Sequence, residues 1–420
     1  MRLALIRYWE QIRSGFWFLP SLMAVTAVVL STATVSLDRA GVDRWLDARG
    51  WLYAGGAEGA AAVLGAVAGS MITIAGVVFS LTLVALSQAS SQFGPRLLRN
   101  FMRDTANQIV LGAFVSTFLY CLLVLRTIRR GDEGIFVPHL SVTAGVFMAV
   151  ASIGVLIYFI HHVSISIQAD QVISRVHAEL LHAIDRLYPE DVGLEPGETT
   201  ETATEATAAS STSVVAVRAE SDGYVQLIDS STLLQVAVEK DLIVHVVKRP
   251  GDYAIRQSPL LHVGPRDNVD DDVKARLAKL FVLGDERTPP QDAKYLIDQL
   301  VEVALRALSP GVNDPFTALT CIDRLTSGLC RAAARAFPSP YRSDSDGRLR
   351  VVTPAATFAG LLSAAFAPID EFGGESKLIV ARLNQGLRAI VAACRNDARQ
   401  AEVEDLSRKL KFVERGISPD

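Results

Sequence analysis

The sequence predicts an α-helical membrane protein: four transmembrane helices followed by a small β domain and a mainly α-helical cytosolic domain. Three observations carry this. Uncharged apolar stretches of about 20 residues, the length that crosses a bilayer as a helix, recur in the first part of the chain. Every fixed cation before Lys240 is an arginine. Beyond residue 213 the apolar pattern shortens, first to β-rich runs and then to helical periodicity. With 420 residues, 50% hydrophobic and 20% charged, an ordinary soluble enzyme and a disordered chain are both excluded. A net charge of −4 argues against a dedicated nucleic-acid binder.

Residues 1–15 mix Arg2, Arg7 and Arg13 with Leu3, Leu5, Ile6, Tyr8, Trp9 and Ile12, a pattern that suits an interfacial amphipathic helix. No small-residue cleavage site follows, so the segment reads as an uncleaved anchor. The transmembrane domain covers residues 16–165, with spans at about 16–37, 60–86, 108–125 and 140–160. None of these spans contains Asp, Glu, Lys or Arg. The three loops carry three arginines each, which leaves the positive-inside comparison tied. The arginine-bearing N-terminus and the large C-terminal region, placed on one side by an even number of spans, set both termini in the cytoplasm. The expected location is a bacterial cytoplasmic (inner) membrane.

Residues 166–188 form a helical extension, with Val172, Val176, Leu180 and Ile184 on one face. Residues 189–213 hold six acidic and no basic residues among many Thr, Ala and Ser, and read as a flexible acidic linker. The small β domain spans 214–265, with strands expected at 214–217, 224–228, 233–238 and 242–247. Residues 251–263 look like a hairpin of biotinyl/lipoyl-like barrels, without the modified lysine of such carriers. The helical domain spans 266–420. Helices are expected after Thr288-Pro289-Pro290-Gln291 and after the Asp314-Pro315 cap, then at about 355–367, 376–395 and 398–414. Cys121, Cys321, Cys330 and Cys394 lack metal or redox spacing and read as free thiols of a reducing compartment.

The second span is the most unusual. Gly65, Gly69, Thr73, Gly76, Ser80, Val84 and Ser87 follow at spacings of three or four, giving one helix face of mostly small or hydroxylated residues. Such a face suits close helix packing, because small residues let backbones approach. It also suits a pore-lining helix, where hydroxyls and exposed backbone face water. Gln88, Ser91 and Gln92 extend it as a polar mouth, and Arg96, Arg99 and Arg103 follow a Gly94-Pro95 break. A ring of those arginines would attract anions, and as single residues they suit anchoring to anionic lipid.

Five histidines (His139, His161, His162, His177 and His182) fall in one stretch, and His161 and His162 are candidates for regulation by pH. Asn313 and Asp314 are candidates for ligand or ion regulation, against the simpler role of Asp314 as a helix cap. No Walker A loop, HExxH, Gly-x-Ser-x-Gly elbow or zinc spacing is present. The chain is therefore read as a non-enzyme without metal or cofactor.

Ser87-Gln88-Ala89-Ser90-Ser91-Gln92-Phe93-Gly94-Pro95-Arg96 and Arg306-Ala307-Leu308-Ser309-Pro310-Gly311-Val312-Asn313-Asp314-Pro315-Phe316-Thr317-Ala318 resemble an uncharacterised family of bacterial predicted membrane proteins, domain of unknown function 2254. The likeness covers nearly the whole chain. It implies the topology and no activity. The expected function is a homo-oligomeric ion channel or passive permeation pathway with a regulatory cytosolic domain, its partners being the lipid bilayer and further copies of itself. The alternative is a non-conducting membrane scaffold or sensor whose cytosolic domain binds a partner or small ligand.

Overall fold

The computed structural model describes residues 17–41, 53, 55–94, 105–129, 136–166, 168–188, 214–354 and 356–410. The expected interfacial helix at 1–15 and linker at 189–213 lie outside them. The chain divides into two compact units, Met1–Gln171 and Val172–Asp420.

The first unit holds four helices long and apolar enough to cross a membrane: α1 (Phe18–Arg39), α2 (Ala57–Phe93), α3 (Thr105–Leu125) and α4 (His139–Ser166). Their interior is built from small and aromatic residues. Ala27, Leu64, Ala68, Tyr120 and Cys121 form one buried cluster, and Met71, Ala75, Val110, Phe114 and Phe159 form another. Two glycines allow this closeness. A Cβ at Gly112 of α3 would stand 3.2 Å from the Pro20 backbone of α1, and one at Gly145 of α4 would stand 3.0 Å from Leu64 of α2.

One acidic residue closes the bundle. Asp38, in the last turn of α1, is buried, and its carboxylate accepts the Leu140 N–H (2.8 Å) and the Ser141 N–H (3.0 Å) at the start of α4. The Ser141 hydroxyl donates to it as well (2.5 Å). Helix α4 is therefore capped by a side chain from another helix, which satisfies N–H groups that no intrahelical carbonyl reaches. The Tyr120 hydroxyl donates to the Ser141 carbonyl (3.0 Å) and lies 3.0 Å from the Thr34 hydroxyl, joining α1, α3 and α4. His139 is used structurally too: its Nδ1 lies 2.6 Å from the Tyr53 carbonyl oxygen.

Helix α4 ends at Ser166, and α5 (Ala169–Leu187) is a separate element. The buried face of α5 is Ile173, Val176, Leu180, Ala183 and Ile184, with Ile173 in place of the expected Val172.

The second unit is α+β. Strands β1 (Val215–Arg218), β2 (Gly223–Ile228), β3 (Ile243–Val246), β4 (Tyr253–Ala254), β5 (Pro259–Gly264) and β6 (Phe281–Gly284) are interspersed along the chain with helices α6 (Ser230–Glu239) and α7 (Asp271–Ala278). After them come α8 (Ala293–Ala307), α9 (Pro315–Ala333), β7 (Tyr341–Ser343), β8 (Leu349–Val352), α10 (Phe358–Gly373), α11 (Lys377–Ala393) and α12 (Asp397–Lys409). One sheet has the order β1-β5-β3-β8-β7, antiparallel except for β3 with β8, and the other has the order β4-β2-β6.

Three expectations are corrected here. Residues 233–238 are not a strand but part of α6, which Asp229 caps through the Thr232 N–H (3.1 Å) and which buries Leu233, Val236 and Ala237 at helical spacing. Segments 253–254 and 259–264 are not hairpin partners, because β4 and β5 belong to different sheets. The sheet is not confined to 214–265: the two short extended pieces that the sequence places on either side of the Asp344-Ser345-Asp346-Gly347 turn are β7 and β8, and they join it. Among the helices, α8 is capped by Asp292, which accepts the Tyr295 N–H (3.1 Å); Thr288 makes no side-chain cap. The Gln291 side chain instead brackets Ile228, accepting from its N–H (2.9 Å) and donating to its carbonyl (3.1 Å).

Asp38→Ala removes one cap and leaves a buried and a part-buried N–H group unpaired, so it lowers stability by about 3 kcal/mol. Thermal unfolding in detergent measures this, and an unchanged midpoint would show that α4 does not depend on the carboxylate.

Candidate functional site

Helix α2 has two unlike faces. Ala60, Leu64, Ala68, Met71, Ala75, Val78 and Ala85 are buried against the rest of the first unit. Gly65, Gly69, Thr73, Gly76, Ser80 and Ser87 lie on the opposite side, and all six are exposed. At 100° per residue they form a furrow, flanked by Ile72, Phe79 and Leu83 on one side and by Val77 and Leu81 on the other. The flanking side chains are exposed as well.

Among the described residues the glycines of this furrow serve no contact. A Cβ at Gly65, Gly69 or Gly76 would meet no atom within 4 Å, in contrast to Gly112 and Gly145. The Thr73 hydroxyl donates to the Gly69 carbonyl (2.8 Å), which satisfies its proton within the helix. Among the described residues the packing face of α2 is the alanine face.

Helix α2 runs on to Phe93 and stops at Gly94, whose φ of +97° a residue with a side chain rarely adopts. Gln88, like Ser87, is exposed. The backbones of Ser91 and Gln92 continue the helix. Their side chains, and all of Arg96, Arg99 and Arg103, lie outside the described residues.

The regulatory candidates separate. His161 is exposed, while His162 stacks on Tyr158 with ring centres 5.5 Å apart. Asn313, with φ +49°, takes a left-handed position at the end of the turn between α8 and α9, its N–H donating to the Ser309 carbonyl (2.9 Å). Asp314 caps α9, accepting the Thr317 N–H (3.2 Å) and hydroxyl (2.6 Å), and these bonds hold its carboxyl below the usual range. Among the described residues no group of three or more His, Cys, Asp or Glu is placed to hold a metal ion. Burial pushes the Cys321 thiol up to about 12, with the charge of Asp314 adding to it.

The chain matches the family model described as predicted membrane protein (DUF2254) over residues 13–389. It belongs to this family. Two relatives, uncharacterized proteins of Mycobacterium bovis and Mycobacterium tuberculosis, are each 35% identical over 358 residues, covering 84% of this chain and 68% of the relative. No solved structure matches the chain. Family membership and the four apolar helices agree on a membrane protein, and they leave its activity open.

Sequence reasoning named His177 only as one of five clustered histidines and did not reach His245, and both have altered environments. His177 sits in α5 with Nε2 buried and without a hydrogen-bond partner, and burial first, then the charge of Arg324, lowers its pKa. His245 faces His262 across β3 and β5, and burial first, then the His262 charge, lowers its pKa. A folded-state pKa below the unfolded one means that the unfolded chain binds more protons, so stability falls as the pH drops below about 6.5. Melting temperature should therefore decline on acidification through this range, and His177→Gln and His245→Gln should each flatten the decline. An identical slope in both variants would remove these two groups from the pH response.

Proposed function

We propose that this protein self-associates in a bacterial cytoplasmic membrane, with both termini in the cytoplasm, and that the assembly is a passive ion permeation pathway framed by the α2 furrow. One observation carries the reading: three glycines and three hydroxylated residues share an exposed face that the chain's own bundle does not use. Small residues at a helix surface in lipid allow another backbone to approach closely. Repeated around a ring, the same furrow sets glycine carbonyls and hydroxyls along a path. The exposed Gln88 extends that face beyond Ser87. The second unit serves assembly and regulation, with no enzymatic role and no cofactor. The scaffold or sensor alternative drew on Asn313 and Asp314, and Asp314 is engaged in capping α9.

Purified protein reconstituted in liposomes should pass ions, and Gly76→Leu or Ser80→Leu should cut the flux several-fold. Both positions are exposed, and a Cβ at Gly76 meets nothing among the described residues, so the variants should keep the wild-type melting temperature. Tight vesicles under voltage, tension and pH steps would contradict the permeation reading.

A further inference from the structure

We infer that His245 and His262, side by side on the outer face of the five-stranded sheet, chelate a divalent first-row transition ion. The inference is independent of the α2 furrow and gives the second unit a ligand of its own.

Strand register makes the pair. His245 of β3 stands directly opposite His262 of β5, with Val244 opposite Val263 and Val246 opposite Leu261. Those two valines of β3, Leu261 and Val263 of β5, Val217 of β1 and Val351 of β8 all belong to the buried core of this unit. Side chains alternate across a strand, so both imidazoles leave the sheet on the face away from that core. Both are half-buried. Directly opposed residues hold their Cβ atoms about 5 Å apart. From that spacing two rings can turn one nitrogen each onto a single ion, at the usual zinc–nitrogen distance of roughly 2.0–2.1 Å.

The ring nitrogens are available. Among the described residues neither His245 nor His262 has a hydrogen bond to another residue, whereas His139 is tied to the Tyr53 carbonyl. Burial first, then the His262 charge, lowers the His245 pKa, so at neutral pH this ring keeps the lone pair that a metal needs. The neighbours in the same row are apolar: Ala216 lies across from His262 on β1, and Val352 beside His245 on β8. A row of imidazoles without carboxylates suits zinc, copper or nickel, and not calcium or magnesium, which take oxygen ligands. Two protein nitrogens leave the remaining positions to water, so the ion is an exchangeable ligand and not a resident cofactor.

The test uses the full chain in detergent, freed of any histidine tag, titrated with Zn²⁺ by calorimetry and loaded with Cu²⁺ for electron paramagnetic resonance. The copper spectrum should show splitting from two nitrogens, and affinity should fall as the pH drops below about 6.5, because protons compete for the rings. His245→Ala and His262→Ala should each weaken binding many-fold, while His161→Ala leaves it unchanged. Zinc should raise the melting temperature of the wild type and of neither variant. If an alanine variant fails to fold, the glutamine variant at the same position takes its place. Binding retained in both variants, equal loss in His161→Ala, a single-nitrogen spectrum or no binding at all would overturn the site.

Discussion

The Asp38 carboxylate holding the start of α4 is the contact on which the first unit turns. A carboxylate buried in an apolar bundle is costly unless its oxygens are matched by donors. Here two backbone N–H groups and one hydroxyl match it, and those N–H groups would otherwise be unpaired at a helix start. Each side removes the other's penalty. The Tyr120 hydroxyl, set between Thr34 and the Ser141 carbonyl, extends the clasp across three helices.

With α1, α3 and α4 tied, α2 is held by its alanines. Ala60, Ala68 and Ala75 need close approach to make contact, and they turn the opposite face of the helix outward. That face is where the glycines and hydroxyls lie. Glycine in a helix interior costs roughly 1 kcal/mol relative to alanine, so glycines that touch nothing among the described residues reduce stability without a return there. A partner helix or a wetted path supplies that return, which is why the functional reading is placed on this furrow.

Legibility followed the range of the forces involved. The four spans were readable because length and lack of charge are properties of single segments, and the Asp314 cap was readable because it acts within its own turn. The buried Asp38 was not, since one acid among several in a loop gives no sign of the helix start it reaches. An acid closing one apolar span, together with a serine opening another, was the available signal. Residues 233–238 misled because Leu-Leu-Gln-Val-Ala-Val is rich in strand formers, while the Asp229 cap and the spacing of Leu233, Val236 and Ala237 favour a helix. Strands β7 and β8 join β3 through a pairing between residues distant in sequence, which no local pattern records. The furrow itself was legible as a pattern of residue types. That it faces away from its own bundle needed the packing.

The most direct measurement is the collision rate of oxygen and of a water-soluble nickel chelate with nitroxide labels at Gly69, Gly76 and Ser80, in a cysteine-free background in bilayers. Phe147 and Val150, exposed on α4, serve as the lipid reference. Labels in the furrow should show lower oxygen access than the reference, with nickel access where the path is wet. Oxygen access equal to that at Phe147 along the whole furrow would place it in acyl chains and contradict the account.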